Sequence, residues 1–119
     1  GWGFWAVEER ASGRFIGFVG LHVPSDKLPF SPCVEVGWRL AKPYWGLGYA
    51  TEAAQSAIAF GFQQLHLKEL VAFTAIANLK SRAVMERLGM RLDCEFDHPQ
   101  LPVESWLRRH VLYRLRSPV

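Results

Sequence analysis

Apolar positions along this chain switch between the two-residue alternation of strands and the three-to-four-residue stripe of helices, and the switches outline its elements. Trp2 to Glu8 alternates loosely and is rich in aromatics, and Phe15 to Val23 reads Phe-Ile-Gly-Phe-Val-Gly-Leu-His-Val. With the turn residues Ala11-Ser12-Gly13-Arg14 between them, these runs predict a β-hairpin. Pro24, Pro29 and Pro32 exclude regular structure from the next stretch, after which Cys33 to Leu40 predicts a third strand ended by Lys42-Pro43. From Tyr49 the spacing turns helical. Ala50, Ala54, Ala57, Ile58, Gly61 and Leu65 share one stripe, whose small residues let the helix lie close to a sheet, while Glu52, Gln55, Gln63 and Gln64 fall mostly off it. Leu70 to Ala75 is a short apolar run of the kind found in a strand buried on both faces. Strand, turn, helix and strand make a right-handed βαβ unit, so the strands flanking the helix are expected to run parallel. Asn78 is placed to cap a second helix and Gly89, followed by apolar Met90, to end it. The inward face of that helix is expected to hold Ala83, Val84 and Leu88, with Met85 nearby. Met90 to Phe96 and Arg108 to Leu115 predict two further strands that pair antiparallel. No repeat, low-complexity tract or linker interrupts the pattern, so residues 1–119 read as a single domain.

Composition narrows the picture only slightly. A chain of 119 residues with 50% hydrophobic content can bury a packed core. Net charge is +3, from 14 basic against 11 acidic residues, too even to point to nucleic acid but compatible with an anionic ligand. Cys33 and Cys94 fall in separate strand-like runs and are expected as buried free thiols. His22, His66, His98 and His110 lack the spacing of metal ligands, so no metal is expected. Arg108, Arg109, Arg114 and Arg116 read as the solvated face of the last strand. Nothing resembles a signal peptide or a membrane span, which makes the cytoplasm the default compartment, with no membrane partner.

The stretch Tyr44-Trp45-Gly46-Leu47-Gly48-Tyr49-Ala50-Thr51-Glu52 carries the candidate chemistry. A Gly-x-Gly turn that opens a helix lets bare backbone approach an anion and points unpaired N–H groups at it, along the positive end of the helix dipole. The expected ligand is a pyrophosphate. A P-loop is disfavoured, since no lysine follows Gly48 before the helix, and so is a dinucleotide fingerprint, which needs a small residue at Thr51 and an acid where Thr74-Ala75-Ile76 stands. By itself the pair of glycines also fits an ordinary strand-to-helix turn.

The order of elements, with Trp45-Gly46-Leu47-Gly48-Tyr49-Ala50 at the first helix and Asn78-Leu79-Lys80-Ser81-Arg82-Ala83-Val84-Met85-Glu86-Arg87-Leu88-Gly89-Met90 at the second, resembles the GNAT acetyltransferase superfamily. Within it, the RimJ/RimL-like branch is the nearer likeness. Gly48 and Ala50 match the family's acetyl-CoA signature, and Trp45 stands where the general pattern has Gln or Arg. The fold implied is α+β, an acyl-CoA N-acyltransferase fold with a mixed, mostly antiparallel sheet, a central parallel pair and flanking helices. Family members usually carry a strand and a helical pair ahead of the hairpin, so the sequence is expected to be either a fragment or an N-terminally shortened version of the fold. Partner-chain contacts, as in a homodimer, would then be one way to complete the acceptor side.

The resemblance implies acetyl-CoA as cosubstrate, with the pantetheine arm along the backbone of Trp38 and Leu40. Amides of Trp45, Gly46, Leu47, Gly48, Tyr49 and Ala50 would meet the pyrophosphate, Thr51 would offer a hydroxyl, and Asn78 and Ser81 would face the cofactor. Asn78 serves equally as a helix cap. The implied reaction is direct acetyl transfer to a primary amine, on a protein N-terminus or a small molecule. Glu35, on the opposite strand face from Val34 and Val36, stands where several members place a proton-accepting carboxylate; its other reading is a solvent-facing strand residue. Ser81 would donate a proton to the departing sulfur. The tyrosine that many members use for that step is replaced by Met85. His22 is a minor candidate for touching the acceptor. Trp2, Trp5 and Trp106 suit an acceptor pocket or a dimer seam as well as a core. A noncatalytic CoA-binding or protein-interaction module is the alternative function.

Overall fold

The computed structural model describes residues 3–24, 28–30, 33–99, 101–102, 104–105 and 107–118. Strands β1 (Phe4–Glu8) and β2 (Phe15–His22) form the hairpin, and β3 (Glu35–Leu40) pairs antiparallel with β2. Helix α1 (Tyr49–Gln63) leads to β4 (Glu69–Ala75), helix α2 (Leu79–Arg87) to β5 (Arg91–Asp97), and β6 (Arg109–Arg116) closes the order. One six-stranded sheet runs β1-β2-β3-β4-β6-β5, antiparallel at every junction except β3–β4. This is the GNAT fold, with each expected strand and helix present.

One face of the sheet packs on the helices. Val19, Leu21, Val36, Leu70, Ala72, Val111 and Tyr113 meet Ala54, Ala57 and Ile58 of α1 and Met85 of α2. The small stripe of α1 does what its spacing implies: a Cβ at Gly61 would sit 3.0 Å from Leu21 Cδ1, so the helix lies as near the sheet as bare backbone allows. The opposite face carries a second cluster, in which Leu28 and Phe30 of the proline-bearing loop cover Val71, Phe73, Phe96 and Leu112. The rest of that loop, from Ser25 to Lys27 and at Ser31 and Pro32, lies outside the described residues, as do Trp2 and Trp106.

Two expectations are corrected. The buried anchor of α2 is Met85, and Leu88 packs partly covered against the same core, while Ala83 and Val84 turn toward a cavity that α2 borders. Cys94 is exposed, not buried: the register shifts between Leu92 and Cys94 on edge strand β5, and only Cys33 is partly covered. The basic last strand is ion-paired as well as solvated. Arg109 reaches Glu95 and Asp97, and Arg114 reaches Asp93 and Glu69.

Candidate functional site

Strands β3 and β4 begin together and then part. Glu35 pairs with Val71, the Val71 amide donates to the Val34 carbonyl at 3.0 Å, and beyond this point no register joins the two strands. On the other side of β3, the Ala41 amide donates to the Ile16 carbonyl of β2 at 2.8 Å. Backbone groups alternate sides along a strand, so those of Trp38 and Leu40 face the opening toward β4. Divergence at the carboxyl ends of parallel strands is where α/β units place ligands, since both following helices start there.

The chain leaves β3 through a short helical turn, Lys42–Tyr44, and enters α1 through Gly46 and Gly48, with φ of 76° and 82°. Those left-handed conformations favour glycine, and a Cβ at either position would meet nothing within 4 Å, so the turn leaves open space beside bare backbone. The Trp45 indole donates to the Leu40 carbonyl at 2.8 Å and pins the turn to the strand. On the far wall, Asn78 Oδ1 accepts from the Ser81 amide at 3.2 Å and caps α2. Tyr113 holds α2 in place, its hydroxyl donating to Glu86 Oε2 at 3.1 Å and accepting from Arg82 Nε at 3.4 Å.

Between these walls lies a cavity of about 400 Å³. Trp38, Leu40, Trp45, Gly46, Gly48, Tyr49, Ala50, Thr51, Asn78 and Ser81 line it, as the sequence reading places them, together with Arg39, Tyr44, Lys80 and Arg87. Leu47 does not; it is exposed. Two helix N-termini open into the cavity, Lys80 and Arg87 line it, and among the described lining residues none is acidic, so its field favours an anion. Lys80 Nζ sits 4.7 Å from the centre of the Trp45 ring, bridging α2 to the glycine turn by a cation–π contact. Thr51 Oγ1 is buried and finds no hydrogen-bond partner among the described residues. An orphaned hydroxyl in a cationic cleft walled by apolar side chains fits a CoA-like ligand, whose phosphates and amide-bearing arm require both kinds of surface.

Glu35 lies outside this cavity wall. It projects from the other face of β3, where the strands part, and its side chain is only 14% exposed. Burial pushes its carboxyl up to about 8. His22, opposite it on β2, brings Nε2 to 2.9 Å from Glu35 Oε1, and burial pushes the imidazole below its ordinary value. Met85 is buried in the helix-side core and faces neither the cavity nor Glu35.

Sequence reasoning missed the cationic lining and the partner of Glu35. Lys80, Val84 and Arg87 recur at helical spacing on one stripe of α2, a pattern that marks a shared face. For His22 no such signal exists: its contact depends on the register of two strands joined by a long loop. Among the described residues no group of three or more His, Cys, Asp and Glu assembles as a metal site, and no helix is long and apolar enough to cross a membrane.

Comparison with known proteins gives a family match over residues 1–91, to the acetyltransferase (GNAT) domain. The chain is 36% identical over 94 residues to the FsC-acetyl coenzyme A-N(2)-transacetylase of Aspergillus fumigatus, across 76% of this chain and 39% of that protein. It is also similar to a solved acetyltransferase from Agrobacterium tumefaciens, with 32% identity, a TM-score of 0.73, and 98% of this chain and 61% of that one covered. The ribosomal-protein-S5-alanine acetyltransferase of Vibrio fischeri shares the fold at a TM-score of 0.79 and 23% identity, covering 98% of this chain and 62% of that one. The chain thus spans less than two thirds of the length of each.

Proposed function

The chain belongs to the GNAT acetyltransferase family, and from that premise we propose that residues 1–119 form one domain that moves an acetyl group from acetyl-CoA to a primary amine. The observation that carries this reading is the parting of β3 from β4 beside a cationic cavity, with the largely buried Glu35 on the other face of β3 at the point where the strands are last paired. Amides from Trp45 to Ala50 and the Thr51 hydroxyl would hold the pyrophosphate, with Lys80 and Arg87 adding charge. Backbone of Trp38 and Leu40 would align the pantetheine arm.

When bound, acetyl-CoA supplies the acetyl group already activated as a thioester. The residues then have three tasks. Glu35 takes a proton from the acceptor ammonium onto a carboxylate oxygen, leaving the amine lone pair free to attack; a group titrating near 8 suits that work close to neutral pH. A Trp38 backbone N–H polarises the acyl carbonyl. Ser81 Oγ passes its proton to the sulfur as the carbon–sulfur bond breaks.

The acceptor we favour is a protein N-terminal amine, in keeping with a RimJ/RimL-like branch; a small amine is the second choice, and a homodimer in the cytoplasm is the assumed setting. Among the similar proteins, one is named for transfer to an alanine of a ribosomal protein and one for transfer to an N(2) position. Isothermal titration tests the cofactor half: saturable acetyl-CoA binding without NAD binding is expected, and Gly48→Glu abolishes it by placing bulk and negative charge in the turn. Turnover with an amine panel, lost in Glu35→Gln and reduced in Ser81→Ala, tests the rest. Binding without turnover of any amine would favour a noncatalytic module.

A further inference from the structure

We propose that His22 and Glu35 work as one proton-holding unit, in which His22 positions the carboxylate and shares the proton that Glu35 takes from the acceptor amine. The inference rests on the acetyltransferase reading for its catalytic consequence, and on geometry for the pair itself.

His22 and Glu35 are directly opposed in the β2–β3 register, and His22 Nε2 lies 2.9 Å from Glu35 Oε1. The imidazole has little else to orient it. Its Nδ1 is buried without a hydrogen-bond partner among the described residues, and the Phe4 ring packs against it at 4.9 Å between centroids. Phe4 and His22 both lie over Gly37, where a Cβ would come into ordinary contact with the Phe4 ring at 3.4 Å and with His22 Cε1 at 3.9 Å. Of the other charged or titratable groups on this face, Cys33 just ahead of β3 interacts with Glu35 and also with Glu69 of β4 and Arg114 of β6, and Arg39 stands further along β3.

The proton balance favours a shared site. With one proton in the pair, the imidazole N–H donates to the carboxylate. When the ammonium N–H breaks, its proton adds to the pair: either it protonates Nδ1, giving an imidazolium whose Nε2–H still faces the carboxylate, or it settles on Oε1 and donates to Nε2, the ring's own proton then standing on Nδ1. Neither arrangement moves a heavy atom.

The test uses NMR titration of the His22 ring and the Glu35 side-chain carboxyl in the full chain. Coupling predicts that both signals follow the same transitions, and that Glu35→Gln shifts the His22 midpoint by about one pH unit or more. An unchanged His22 midpoint overturns the proposal. This arm needs no turnover, so if no amine is acetylated the proposed function fails while the pair is still decided. With an alanine-led peptide as acceptor, His22→Phe is expected to lower kcat at least about tenfold and move the acidic limb of the pH profile, with KM for acetyl-CoA unchanged. His22→Gln, which keeps a donor toward the carboxylate, recovers part of kcat but not the pH profile. A wild-type kcat and profile in His22→Phe overturns the catalytic half. If His22→Phe does not fold, the wild-type and Glu35→Gln titrations decide.

Discussion

At the scale of single residues, two buried polar groups separate stability from function. Glu35 titrates near 8 when folded, against an ordinary value of 4.5, so the folded chain holds its proton more tightly than the unfolded one. Its contribution to stability is fully present below about 4.5 and is lost as pH rises through 8. Glu35→Gln should flatten this slope, so that thermal melts at pH 5 and pH 8 differ less in the variant than in the wild type, while acetyl transfer falls roughly 100-fold or more. Thr51 gives the complementary case. Its hydroxyl is buried with no partner among the described residues, so Thr51→Val should leave the melting temperature level or raised. If the hydroxyl meets the cofactor, the same change weakens acetyl-CoA binding about 5- to 10-fold by calorimetry, the worth of one hydrogen bond. That Thr51 would stand beside the glycine turn was legible from its place in the chain; the burial that makes Glu35 an unusual acid was not, because one sequence position does not show what packs around it.

At the scale of elements, α1 is set by its smallest residues at both ends. Gly46 and Gly48 let the chain turn into the helix in left-handed conformations, and Gly61 lets the far end lie against Leu21, Leu67 and Leu70. Gly61→Val should therefore overpack the helix–sheet contact and cost about 1–3 kcal/mol in denaturant titration, with acetyl-CoA affinity little changed because the cavity lies at the other end. Both features were readable from the alanine and glycine stripe. The facing of α2 was not. Its periodicity pointed Ala83, Val84 and Leu88 inward; Leu88 does pack on the core, but Met85 is the fully buried residue and Ala83 and Val84 face a cavity on one flank of this short helix.

At the scale of the whole molecule, the parting of β3 and β4 brings two helix starts to one cationic cavity, with Glu35 on the opposite face of the sheet where the two strands are last paired. A ligand that binds only there should stabilise the fold as a whole: acetyl-CoA at one hundred times its Kd should add about 2.7 kcal/mol, read as a raised melting temperature, whereas NAD should add nothing. No rise with acetyl-CoA would mean that the cavity is not its site. The sequence by itself determined the element order, the parallel pair, the cap at Asn78 and the glycine turn, because these rest on local spacing, backbone freedom and chain connectivity. It also carried the family likeness, which resides in the two helix-opening motifs. Only the tertiary structure decided that Glu35 is buried against His22, that Lys80 reaches across to Trp45, and that Cys94 stands in solvent. Those outcomes depend on strand register and on which faces meet, and contacts between residues distant in the chain leave no period in the sequence.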